Sequence, residues 1–301
     1  MSARRLVLVA LAALAALLVC CSTDPGDASI SGAPPGFDGA TEGDGGSSGD
    51  GGSSGDALPP ASQPGPEVLF GSAIQRIVVE VDYAPGAAPY TGSAGRLGDV
   101  WSIARDNLVA VFDGAKTLDL PSTLAQMEQL DDVTGTEFRV EDIVDIARRH
   151  RGQPSSGSVA TFYVIFLDGK FVQPDGVVSA QTLGVSVGYT GIVAMFKPVI
   201  AAAIGSRGTT TTTTRFVEQS TLVHELGHAV GLVENGVPAT TPHHDATHAA
   251  HCTSTTCVMY WANEGASAAA DFVRTYVETG DRLLFGPECL ADLRAIDART
   301  P

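Results

Sequence analysis

The sequence predicts an α+β domain, and three stretches carry that expectation. Val159 to Leu167 is an unbroken β-branched and aromatic run ending at Asp168-Gly169, the pattern of a central strand and its turn. Leu97 to Phe112 repeats apolar residues at helical spacing, with Val100, Ile103, Ala104, Leu108 and Val111 on one side. A segment beginning near Phe216 sets two histidines four positions apart, His224 and His228, within an apolar helical stretch.

The remaining elements follow in chain order. Arg4 and Arg5 precede an apolar run from Leu6 to Val19, the length of a secretory signal and short for a membrane span. Leu18-Val19-Cys20-Cys21 resembles a bacterial lipobox, with Cys20 where a small residue is usual. That resemblance implies residues 1–21 as an export signal, a lipid on Cys20 or Cys21, and a cell-envelope protein held to a membrane, most naturally the outer membrane or cell surface. An ordinary cleaved signal and a secreted product is the alternative. Residues 22–65 are rich in Gly, Ser, Asp and Pro, too poor in apolar surface to offset the entropy of ordering, so they read as a tether.

The folded body then runs over 66–301, long enough for one domain with a substantial core. Ile74 to Tyr83 reads as a first strand and Val140 to Arg149 as a second helix. Leu183 to Phe196 reads as one or two strands broken near Gly188 and Gly191. The six threonines at 209–214 form an expected loop, with Thr214 placed to cap the helix after it. Ala268 to Val277 and Glu288 to Ile296 read as further helices. Acidic residues outnumber basic ones 34 to 18, and the formal charge is −16. With no basic stripe or aromatic platform, nucleic acid is excluded as a partner and the acidity serves solubility.

His224-Glu225-Leu226-Gly227-His228-Ala229-Val230-Gly231 reads H-E-x-x-H-x-x-G. Both imidazoles share one helix face and can grip one Zn2+ ion, while Glu225 is placed to take a proton from water activated there. Downstream stands Cys257-Val258-Met259-Tyr260. Together these resemble the metzincin clan of zinc metalloproteases, over Phe216 to Trp261. The resemblance implies a twisted, mostly parallel sheet, a backing helix, an active-site helix and a C-terminal helix. It also implies that Gly231 turns the chain sharply out of the helix and that Met259 lies beneath the metal. Tyr260, after the methionine, would line the specificity pocket by the same resemblance, with a place in the core as the equal alternative.

The family's third histidine would fall at 234, which here is Glu234. Four of the seven histidines, His243, His244, His248 and His251, follow in what reads as an insertion. His251 stands before Met259 at the matrixin spacing. His251-Cys252 to Met259 also reproduces the archaemetzincin pattern H-C-x4-C-x-M. His251 is thus the expected third ligand, with His243, His244, His248 and Glu234 as alternatives. A Cys252–Cys257 disulfide is the simplest arrangement in an oxidising compartment. The archaemetzincin resemblance instead implies a structural zinc, here through Cys252, Cys257, Cys289 and Asp292.

The expected activity is zinc-dependent endopeptidase hydrolysis of a peptide or protein substrate, with Glu225 as general base. A lipid-anchored protein that binds peptides without cutting them is the alternative. A third reading makes the chain a zinc peptidase of another clan, with Glu264 as third ligand; Asn263-Glu264-Gly265 lacks the helical context that such a ligand normally has.

Overall fold

The computed structural model describes residues 63–203 and 211–297. The signal-like segment, the two lipobox cysteines, most of the linker, and Thr209 and Thr210 lie outside the described residues. Among the described residues, no helix is long and apolar enough to cross a membrane.

In chain order the elements are α1 (Pro66–Phe70), β1 (Arg76–Tyr83), α2 (Ser102–Val111), β2 (Thr117–Asp119), β3 (Glu128–Gln129), β4 (Glu137–Phe138), α3 (Val140–His150), β5 (Val159–Leu167), β6 (Lys170–Phe171), β7 (Gly184–Val187), β8 (Ile192–Phe196), α4 (Lys197–Ala202), α5 (Thr211–Ala229), α6 (Ala266–Thr279) and α7 (Pro287–Asp297). The class is α+β with a mixed sheet. The main sheet runs β2-β1-β5-β8-β7, with β3 also paired to β1. Its ladders are parallel except β7–β8, which is antiparallel. β4 and β6 form a separate parallel pair.

β5 is central because its residues are apolar at nearly every position, not at alternate ones. After Val159 every side chain of the strand is buried, as a strand covered on both faces requires. β7 and β8 divide where the sequence expects a break: Gly188, which opens a short 3-10 turn, and Gly191, which follows it, adopt positive φ, 46° and 69°.

Two expectations change. Residues 193–196 read equally well as the exposed rim of a cleft or as a core strand. They lie in β8, flanked by β5 and β7 and wholly buried, so the edge position falls to β7. A short apolar run has the same periodicity at a sheet's centre and at its edge, and pairing alone separates the two. The helix that bears His224 and His228 also starts at Thr211, not near Phe216, so Thr211 to Thr214 form its first turn and Thr214 is not its cap. Packing overrides the weak helical preference of threonine there.

α5 is held beneath the sheet by a buried ion pair between Lys197 of α4 and Glu218. The Tyr90 ring covers the Lys197 ammonium at 3.4 Å, and the Tyr90 backbone N–H donates to Glu218 Oε1 at 2.7 Å. Desolvation consumes most of the Coulomb gain of such a pair, so its effect lies more in fixing helix position than in net stability.

On β1, the buried Asp82 carboxylate accepts the Tyr163 hydroxyl at 2.8 Å. Burial pushes Asp82 up to about 6; the Tyr163 bond opposes that, and the Glu80 and Glu128 carboxylates add to it. A raised carboxyl favours the protonated fold. Its contribution is full below the ordinary value of 3.8 and is lost as pH rises through about 6. Melting temperatures of the wild type should therefore fall more steeply between pH 4 and 7 than those of Asp82→Asn. Parallel curves for the two proteins would contradict this placement of the proton.

Candidate metal centre

The site is built from the end of α5 outward. His224, Glu225 and His228 are each no more than 3% exposed. His224 Nδ1 donates to the carbonyl of Val258 at 2.7 Å, which leaves the Nε2 lone pair facing inward. His228 Nε2 lies 3.0 Å from that atom.

The helix ends where Gly231 takes φ of +93°, and a Cβ there would stand 2.7 Å from the Asn235 carbonyl oxygen. Glycine is therefore required at the turn that sends the chain into the 235–250 segment. That segment returns His251 to the site. His251 Nδ1 donates to the Ala249 carbonyl at 2.8 Å, and its ring centroid stands 5.4 Å from that of His224 and 4.9 Å from that of His228.

The other expected candidates lie elsewhere. Glu234 pairs with His244 at 2.8 Å and is half exposed. His248 pairs with Asp245 at 3.0 Å and stacks on Trp261 at 4.0 Å. His243 belongs to a second cluster. Met259 is fully buried under the helix, and a Cβ on Gly227 would meet its Sδ at 2.4 Å, so the glycine between the two helix histidines permits the contact. Tyr260 is partly exposed, its ring tilted 5.8 Å from that of Trp261.

The structure adds Glu264, which joins His224, His228 and His251 in one group whose ligand atoms lie within 4.8 Å of one another. Glu264 sits on the 3-10 turn Trp261–Glu264. The buried Asn263 secures that turn by donating to the carbonyls of Cys257 and Val258, each at 3.1 Å. Helical context is therefore unnecessary for this carboxylate, contrary to the sequence argument. The available signal was a polar Asn-Glu pair just beyond the methionine.

α2 contributes from a distance. Asn107 Oδ1 accepts the Leu284 N–H at 2.8 Å, and the Leu284 carbonyl accepts the Val258 N–H at 2.8 Å.

The electrostatics match the geometry. Burial, with the neighbouring His224 and His251, drives His228 well below the ordinary histidine range, towards the neutral form that ligates metal. Burial opposes ionisation of Glu264, but bonds to His224 and His251 overcome it and hold the carboxyl far below its usual range. Glu225 goes the other way, raised by burial and by the Glu264 carboxylate against a hydrogen bond from the Ser186 backbone N–H. Glu225 presses against β7, where a Cβ on Gly184 would lie 2.8 Å from its Cγ. Three imidazoles and a carboxylate converging on one point form a donor set suited to Zn2+.

The second cluster gathers Cys252, Cys257, Cys289 and His243, all buried. The cysteines are free thiols, so the Cys252–Cys257 disulfide is not the arrangement present. Cys257 Sγ and Cys289 Sγ are 3.6 Å apart, and His243 Nδ1 is 3.4 Å from Cys252 Sγ and 4.0 Å from Cys289 Sγ. Asp292, the residue expected to complete a fourfold site, instead accepts from His243 Nε2 at 2.6 Å. It also takes the Thr240 N–H and hydroxyl at 2.6 and 2.7 Å. Backbone N–H groups of Gly286 and Ser254 point at two of the sulfurs, at 3.1 and 3.4 Å. His243, Cys252 and Cys289 form a second group that could hold a metal ion, with the Cys257 thiol beside Cys289.

No protein-family model and no curated protein matches the chain. Among solved structures, a zinc-dependent peptidase from Methanocorpusculum labreanum (strain Z) is similar, at 11% identity and a TM-score of 0.40, covering 71% of this chain and 99% of that one.

Cobalt substitution tests the sulfur cluster. The full-length wild type should develop a thiolate-to-cobalt charge-transfer band in the near ultraviolet, and Cys289→Ser should weaken it. A wild type lacking that band would contradict a metal at this cluster.

Proposed function

We propose that the chain is a metzincin-type zinc endopeptidase, exported and tethered to the cell envelope through its N-terminal segment. The observation that carries the reading is the convergence of His224, His228 and His251, with Glu225 on the same helix beside them. When bound, zinc supplies Lewis-acid activation of water and of the scissile carbonyl.

The protein's own groups do the rest. His224 is fixed in one tautomer by the Val258 carbonyl, and His251 by the Ala249 carbonyl, so each presents Nε2 without rearrangement. Glu225 is the general base: it accepts the proton of the attacking water and returns it to the departing amine nitrogen. Its raised proton affinity suits both halves of that transfer. Met259 gives the site an apolar floor and takes no part in the chemistry. β7 is the terminal strand of the sheet and lies against Glu225, so an extended peptide can pair along it by strand addition. Tyr260, next to the methionine, lines the pocket for a substrate side chain.

One observation favours a second reading, a metal-containing protein that binds peptides without cutting them. Glu264 Oε1 lies where a catalytic site keeps an open position, and closed four-ligand sites are the structural kind. Against it stands Glu225, a buried carboxylate that a purely structural site has no use for.

The test is hydrolysis of unstructured casein by the full-length protein beside Glu225→Ala, with zinc counted in both. The wild type should cut and be stopped by a chelator. The variant should keep its zinc and lose about 100-fold to 10,000-fold in kcat. Zinc in both proteins with no cleavage by either would move the binding reading ahead.

A further inference from the structure

Glu264 has a geometric relation to the three imidazoles that the peptidase reading does not use. Its Oε1 is 3.0 Å from His251 Nε2, 3.6 Å from His224 Nε2 and 3.9 Å from His228 Nε2, while the two helix nitrogens are 3.0 Å apart. Four ligands at zinc distances of about 2.0–2.1 Å occupy the corners of a tetrahedron with edges of about 3.3 Å. The observed separations bracket that edge. Glu264 Oε1 therefore stands at the fourth corner, not at the periphery of the site.

Two further features bear on whether that corner is permanently filled. The three histidines and Glu225 are nearly inaccessible, and the ligands on α5 cannot move without the helix. The Glu264 side chain is 16% exposed, on a four-residue turn that leads directly into Gly265. The backbone that follows is fixed, the Gly265 N–H donating to the Ala262 carbonyl at 3.0 Å and the Gly265 carbonyl accepting the Ala269 N–H at 3.0 Å, so the movement open to Glu264 is that of its side chain. Of the four donors, Glu264 is the one free to swing out while the others stay. Charge points the same way: a carboxylate in the ligand set offsets the positive charge of the ion and weakens its Lewis acidity, and removing it restores both.

We propose that Glu264 is an intrinsic fourth ligand that closes the resting site and that substrate displaces. The proposal rests on the zinc-peptidase reading above. It reconciles that reading with the closed geometry, because the same chain holds a complete donor set at rest and a three-histidine set with Glu225 in place when Glu264 withdraws. Asn263 is the positioning residue for this movement. Its amide, bound to the carbonyls of Cys257 and Val258, keeps the turn anchored while the Glu264 side chain departs.

The experiment compares the full-length wild type with Glu264→Gln and Glu264→Asp. The readouts are metal affinity by chelator competition, the visible spectrum of the cobalt-substituted proteins, and casein hydrolysis at saturating zinc. Glutamine keeps the shape of a partly exposed side chain, and aspartate keeps the charge but shortens the reach, so a fold defect in one does not remove the test. Glu264→Gln should bind zinc at the histidine site at least about tenfold more weakly. Its cobalt ligand-field bands should change in intensity, and it should hydrolyse casein faster than the wild type. Glu264→Asp should fall between the two. If the wild type holds zinc and cuts casein while the cobalt spectrum and affinity of Glu264→Gln are unchanged, Glu264 is not a ligand and this proposal alone fails. The same holds if the spectrum and affinity change as expected but hydrolysis does not rise. If the wild type binds no metal through its histidines, the zinc-peptidase reading fails, and this proposal with it.

Discussion

The carbonyl oxygen of Val258 accepts the Nδ1–H of His224 and the side-chain amide of Asn263, and so ties the histidine helix to the turn that follows Met259. Through His224 it sets the tautomer and tilt of the first helix imidazole. Through Asn263 it seats the turn that carries Glu264. Its own position is set by the Val258 N–H, which donates to the Leu284 carbonyl, and Leu284 is in turn held by Asn107 of α2. A packed helix, a C-terminal segment and the methionine turn thus converge on one peptide unit. Supporting contacts of this kind orient ligands before the ion arrives.

The two donor clusters are mechanically coupled. His251 and Cys252 are adjacent, so the residue that completes the histidine group is fixed by a neighbour belonging to the sulfur group. His243 comes from the segment that follows the Gly231 turn, whereas Cys289 and Asp292 come from α7. Whatever holds the second cluster together therefore fastens the inserted segment to the C-terminal helix and limits how far His251 can move. Met259 closes the arrangement from below, in a contact that the missing side chain of Gly227 allows.

Much of this was legible in the residues, and the failures have physical causes. The helix histidines follow from a four-residue period, and β5 from an uninterrupted apolar run. His251 was the candidate that the matrixin and archaemetzincin patterns imply, by its spacing to Met259, and it lies beside the two helix histidines. Glu264 was discounted because periodicity detects helices, whereas this carboxylate is placed by the hydrogen bonds of Asn263, which leave no repeating pattern. Residues 193–196 were a candidate rim because burial by pairing does not appear in composition. The disulfide expectation came from the export signal and the missing fourth cysteine. It could not include His243, whose approach to Cys252 depends on how the inserted segment folds back. The threonine run misled through intrinsic preference, which packing of α5 overrides.

The central claim is that three histidines gathered from a helix and a distant loop can hold one metal ion, at a site separate from the thiol cluster. Zinc content of the full-length chain, wild type beside His251→Ala, tests this most directly. The account predicts two zinc ions per wild-type chain and one in the variant, with the thiolate-to-cobalt band intact. Retention of both ions by His251→Ala at wild-type affinity would contradict it.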